Sequence, residues 1–195
     1  MLGLRDGKER GAKYASTHPA RARRRSRYNV GRFEVSARMV DDIPGLRRIL
    51  ATSKVIAVVG LSAQWFRPSY FAAKYMLEHG YTVIPVNPNY PEILGQKSYR
   101  SLRDIPVPVD IVDCFRKTAD IPPIADEAIA IGAKVLWQQL GVRNEAAARK
   151  AEAAGLEAVM DRCVKIEHAR LFGGLNWAGV NTKVVSAKRP RYIAN

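Results

Sequence analysis

From about residue 40 to residue 172, two kinds of apolar pattern alternate along the chain. The run Val55–Val59, VIAVV, is rich in β-branched residues and has no polar alternation, which suits a strand buried on both faces of a parallel sheet. YTVIPVNP is a second such run and stops at Asn87–Pro88, because Pro88 has no N–H for a ladder. VDIVDCFR, KVLWQQLG and LEAVMDRC supply a third, fourth and fifth strand. The intervening stretches repeat at helical spacing. DDIPGLRRILATSK predicts a lead-in helix with Leu46, Ile49 and Leu50 on one face. Pro68 opens a second helix, with Phe71/Tyr75 and Ala72/Met76 at i, i+4 and Gly80 as its stop. The loop NYPEILGQKSYRSLRDIP holds one short helical turn at Ser101–Ile105. A third helix starts near Asp120 with Pro122 and Pro123 in its first turn, buries Ile124, Ala128 and Ile131, and closes at Gly132. Asn144 caps a fourth, Glu145 and Arg149 pair along it, and Gly155 ends it. A last helix spans Val164–Phe172. The alternation predicts an α/β fold: a doubly wound, parallel five-stranded sheet in the order 3-2-1-4-5, with helices on both faces and right-handed crossovers.

Composition changes this picture only at the ends. A length of 195 residues fits one domain with appendages, divided here into a basic N-terminal extension (1–40), a folded domain (41–172) and a C-terminal tail (173–195). The net charge of +14 is lopsided: residues 1–40 hold eleven Lys/Arg against Asp6, Glu9 and Glu34, a net +8. RARRRSRYNVGR has no hydrophobic period and is expected to be disordered. Three readings of this extension stay open: a solvated tail, an arm for nucleic acid or an acidic partner, or an organelle-targeting peptide. A secretory signal is not expected, since no apolar stretch follows the charges. No apolar run approaches the ~18 residues that span a bilayer, so no membrane association is expected. Two cysteines, Cys114 and Cys163, make no disulfide framework, and a cytoplasmic setting is the simplest expectation.

Ligands of such sheets bind beyond the carboxyl ends of the strands. Those ends carry Gly60–Leu61–Ser62, Asn87–Pro88, Phe115–Arg116, Gln138–Gln139 and Asp161–Arg162–Cys163. The helix opening at Pro68 offers the N–H groups of Ser69, Tyr70 and Phe71 beside a positive dipole end, and Arg67 adds a charged fork for phosphate oxygens. An anionic, nucleotide-like ligand fits this set. The dinucleotide fingerprint G-x-G-x-x-G is absent, strand two lacks the terminal acid that holds an NAD ribose, and no Walker A pattern occurs.

Taken together, VIAVVGLS, RPSYFAAKYMLEHGYTVIPVNPNYPEILGQKSYRSL, VDIVDCFR, EAIAIGAKVLWQQLGV and AEAAGLEAVMDRC resemble the small stand-alone coenzyme A-binding proteins. These are single Rossmann-like domains similar to the N-terminal domain of the succinyl-CoA synthetase α subunit. The resemblance covers residues 43–172 and implies a CoA site made from Gly60, Leu61, Ser62, Arg67, Pro68, Ser69, Asn87, Pro88, Phe115, Arg116 and Gln138. Within it, Arg67 is expected at the diphosphate and Arg116, placed toward the sheet edge, at the 3′-phosphate. The synthetase's phosphorylated histidine lies in a further domain, and no counterpart of that domain is expected within these 195 residues. His18, His79 and His168 read as a tail residue, a helix-end residue and a structural residue. No catalytic constellation or metal-ligand spacing is evident, and CoA or acyl-CoA binding without self-sufficient catalysis is expected, as carrier, sensor or partner of an acyl-CoA enzyme. The alternatives are an enzyme using a nicotinamide nucleotide and a nucleic-acid-associated protein acting through the basic tail.

Overall fold

The computed structural model describes residues 39–173. The basic stretch before Met39 and the tail after Gly173, with the readings attached to them, lie outside the described residues. Met39 and Val40, assigned above to the extension, belong to the fold: Val40 is 1% exposed and its N–H donates to the Ala158 carbonyl at 2.8 Å.

The elements follow the hydrophobic pattern. Helix α1 (Ile43–Thr52) starts at Asp42, whose carboxylate accepts from the Gly45 N–H at 2.7 Å, and buries Leu46, Ile49 and Leu50. Strand β1 (Val55–Val59) leads through a loop to α2 (Pro68–Glu78), then β2 (Thr82–Val86). A two-residue hairpin, β3 (Glu92–Ile93) with β4 (Gln96–Lys97), and a 3-10 turn (Leu102–Asp104) occupy the expected loop. There follow β5 (Ile111–Cys114), α3 (Ile121–Ala130), β6 (Val135–Gln138), α4 (Glu145–Ala153), β7 (Glu157–Val159) and α5 (Val164–Phe172). Asn144 accepts from the Ala147 N–H at 2.9 Å, and Glu145 pairs with Arg149 at 3.4 Å, both as expected. The fully buried residues of α3 are Ile121, Ala125 and Ala128, while Ile124 and Ile131, expected in the buried stripe, are partly buried against the same core, since the small residues are seated deepest.

All five long strands are parallel, and helices cover both faces of the sheet. Ile56, Val58, Ile111, Val135 and Trp137 face α1, α2 and α5, whereas Ala57, Val112, Cys114 and Leu136 face α3 and α4. The strand order is β2-β1-β5-β6-β7. The expected order 3-2-1-4-5 put the third long strand outside the second; instead β5 lies against β1, in the register Ile56↔Ile111 to Val59↔Cys114. Pro85 gives the reason. Its carbonyl points away from β1 and accepts from the Tyr99 N–H at 2.9 Å, so its missing N–H faces outward as well. A further full strand on that side would meet a gap in its ladder, which confines β2 to the edge. The chain therefore turns back across β1, and the order reverses between β1 and β5. At the opposite edge the Met39–Val40 segment covers β7 at Ala158.

Candidate functional site

The reversal opens a crevice beyond the carboxyl ends of β1 and β5. A cavity of about 510 Å³ occupies it, lined by Gly60, Asn87, Pro88, Arg100, Arg116 and Asp120 among others. A second, open depression of about 640 Å³ adjoins it at Phe115, Arg116, Lys117 and Asp120. Arg116 and Asp120 border both, and their ion pair spans 3.3 Å.

Gly60 makes the sharp exit from β1. Its φ of +85° is accessible to glycine at little cost, and its N–H donates to the Val86 carbonyl at 2.9 Å. A Cβ here would stand 2.6 Å from the Phe115 carbonyl and 2.7 Å from Arg116 Cδ. The close approach that requires glycine is thus made by β5's own chain. The 3′-phosphate assignment of Arg116 loses its premise, since Arg116 stands beside Gly60 at the centre of the sheet and not toward an edge.

The loop from Gly60 to α2 is braced internally. The Ser62 N–H donates to Ser69 Oγ at 3.1 Å, and the Gln64 N–H donates to Ser62 Oγ at 3.2 Å. Arg67 Nε donates to Gln64 Oε1 at 3.2 Å, while the Arg67 carbonyl takes the N–H groups of Tyr70 and Phe71. The three amides expected to be open at this helix end therefore reduce to one, that of Ser69, among the described residues. The Ser62 and Ser69 hydroxyls each accept, which leaves their protons available to donate. Leu61 is wholly buried, and its carbonyl accepts from Asn87 Nδ2 at 2.8 Å. Asn87 Oδ1 in turn accepts from the Asn89 N–H at 3.0 Å, so Asn87 joins the β1 and β2 exits. Pro68 occupies the first turn of α2, and Phe115 donates its N–H to the Val59 carbonyl. Gln138 stands apart from the cavity: it is buried, and both ends of its amide bind the Asn144 backbone, at 2.6 and 3.0 Å. It positions α4.

Several lining residues had no assignment from the sequence. Arg100 and Ser101 come from the β2–β5 connection, brought in by the bridge between Val86 and Tyr99. Glu127 on α3 accepts from Ser101 Oγ and the Leu102 N–H, both at 3.0 Å, and fixes that wall. Pro85 was the signal for this side, since an edge strand leaves room for a connection to fold over its end. Trp65 and Phe66 pack edge to face at 6.0 Å but lie 69% and 56% exposed, outside the cavity lining.

Behind the crevice, Asp113 is buried at the end of β5, on the face shared with Trp137. Gln139 Nε2 donates to its Oδ1 at 2.6 Å, and its Oδ2 has no hydrogen-bond partner among the described residues. Burial pushes this carboxyl up to about 7, and the Gln139 bond only partly offsets it. The neighbouring Cys114 thiol is raised by burial and by the Asp113 charge, and Cys163 is also raised by burial, so neither has the character of an activated nucleophile. Asp161 and Arg162 brace neighbouring segments rather than each other. Asp161 Oδ1 accepts from the Gly141 N–H at 2.6 Å, and Arg162 binds Glu167. Among the described residues no helix is long and apolar enough to cross a membrane.

The chain is similar to several known proteins over most of the described residues. Residues 54–169 match the sequence profile of the CoA binding domain. An uncharacterized protein of Bacillus subtilis, YneT, is 43% identical over 124 residues, covering 64% of this chain and 92% of that protein. A hypothetical protein from Pyrococcus horikoshii OT3 superposes with a TM-score of 0.67 at 44% identity, over 68% of this chain and 94% of that one. The ADP-forming acetate–CoA ligase of Methanocaldococcus jannaschii is 25% identical over 87 residues, 45% of this chain but 12% of the ligase.

Proposed function

The chain belongs to the CoA-binding domain family, and from that premise we propose that it binds coenzyme A or an acyl-CoA in the crevice between the ends of β1 and β5. The single observation that carries this reading is the 510 Å³ cavity at the point where the strand order reverses, bordered by two arginines, Arg100 and Arg116. Phosphate groups are the ligand chemistry that two arginine forks favour. The diphosphate lies between the Gly60 turn, Arg116 and the start of α2, where Arg67, Ser62 and Ser69 stand. The ribose and its 3′-phosphate lie at the end of β2, the strand whose terminus holds the ribose in doubly wound sheets. Asn87, Pro88, Asn89 and Arg100 line the cavity there, and no acidic residue follows Val86 to repel a phosphate.

Recognition is the role that the described residues support. The match to 12% of the acetate–CoA ligase covers a fraction of an enzyme that has much more chain. A carrier, a sensor or a partner of acyl-CoA enzymes suits a domain of this size. The test is a calorimetric panel of CoA, acetyl-CoA, dephospho-CoA, NADP and ATP against the whole chain, with native mass spectrometry for ligand retained through purification. CoA and acetyl-CoA binding more tightly than NADP and ATP is the expected result. Preference for NADP would overturn it in favour of a nicotinamide nucleotide.

A further inference from the structure

We infer that Asp120 competes with the ligand for Arg116 and so sets the specificity of the crevice for phosphate over weaker anions. The inference rests on the phosphate-binding reading above. Asp120 stands at the N-cap of α3, where an acidic side chain ordinarily accepts from the second or third amide of the helix. Those two positions here are Pro122 and Pro123, which have no N–H to give. The carboxylate accordingly makes no cap bond, and among the described residues its partner is Arg116, at 3.3 Å. Arg116 in turn lays its stem across Gly60 and borders both openings of the crevice. The carboxylate thus occupies the place an anionic ligand group would take.

Both partners are about half exposed, at 52% and 41% of their side chains. Solvent makes such a pair weak and readily exchanged. A phosphate carries more charge than a carboxylate and displaces Asp120 from Arg116. A monocarboxylate offers no more than Asp120 already does. The pair therefore filters ligands by anion strength, at the cost of some affinity for the correct one.

The experiment titrates CoA and, separately, pyrophosphate into wild type, Asp120→Asn, Arg116→Ala and the double variant at one low ionic strength. Asp120→Asn is expected to tighten both probes about two- to fivefold, the range set by a half-exposed pair. In the Arg116→Ala background the same substitution should change neither. A tightening of the same size in that background would reduce the effect to general charge repulsion and overturn the inference. Unchanged or weakened binding in Asp120→Asn would overturn it too, by showing that the pair positions Arg116. Failure of the CoA reading shows up separately, as wild type that binds pyrophosphate but not CoA, and the pyrophosphate arm then still decides the role of Asp120. Wild type that binds neither probe would overturn both.

Discussion

Arg116 lies across Gly60, with its Cδ only 2.7 Å from where a Cβ on Gly60 would stand. This contact exists because β5 is the neighbour of β1, and it makes Gly60 a packing position as well as a turn. Gly60→Ala should suffer twice, from φ +85° and from the Phe115 carbonyl at 2.6 Å. Gly80 has the same φ of +85° with nothing among the described residues within 4 Å of its Cβ site, so Gly80→Ala isolates the backbone share. That share costs about 1–2 kcal/mol. Urea unfolding should show Gly60→Ala losing clearly more than Gly80→Ala, and equal losses would mean the Arg116 stem and β5 give way freely.

Asp113 should make the protein less stable as pH rises from 4 to 7. Its carboxyl titrates at about 7 in the fold and at 3.8 when unfolded, so across that interval the folded state binds more protons. The stability that the group contributes is complete below the unfolded value and falls by up to about 4 kcal/mol by the time pH passes the folded one. Asp113→Asn keeps the bond from Gln139 and removes the ionisation. The variant should gain on wild type between pH 5 and pH 8 in chemical denaturation, and parallel curves would show that Asp113 ionises without penalty.

His168 should act in the opposite direction at lower pH. Its Nδ1 lies 3.1 Å from Tyr75 Oη, His79 stands 5.1 Å away between ring centroids, and Tyr81 and Phe172 close the rest of the pocket. Burial, followed by the His79 charge, lowers its pKa. A depressed value means that the unfolded chain takes the proton first, so stability is complete above 6.5 and declines on acidification. His168→Phe keeps a ring in place and should narrow the difference in Tm between pH 7.5 and 5.5. An unchanged difference would assign the acid sensitivity elsewhere.

Arg67 and Arg100 should separate the two ends of the bound nucleotide. Arg67→Ala is expected to weaken CoA and dephospho-CoA alike, and Arg100→Ala to weaken CoA much more than dephospho-CoA. A lost charge-assisted hydrogen bond is worth roughly 1.5–3 kcal/mol, about 10- to 150-fold in affinity. Equal losses for the two ligands in Arg100→Ala would remove it from the 3′-phosphate.

Local sequence was enough to place the elements, because each is decided by residues near one another in the chain. VIAVV is a buried strand wherever it sits, Asn144 needs only the amide of Ala147 to cap α4, and Gly80, Gly132 and Gly155 stop their segments through their own positive φ. The resemblance of these ordered segments to CoA-binding domains was legible for the same reason, and the sequence profile over 54–169 agrees with it. The neighbour of β1 is a different kind of quantity. It depends on which edges of the strands remain free, and the missing N–H of Pro85 matters only once the direction it faces is known. Hence the sequence placed Arg116 toward an edge, while the tertiary structure sets it over Gly60 and brings in Arg100 from a distant segment. Gln138 shows the converse. A strand-end amide reads as a ligand contact in sequence, but within the fold both its polar atoms bind the Asn144 backbone, because a wholly buried amide must find its partners inside the protein.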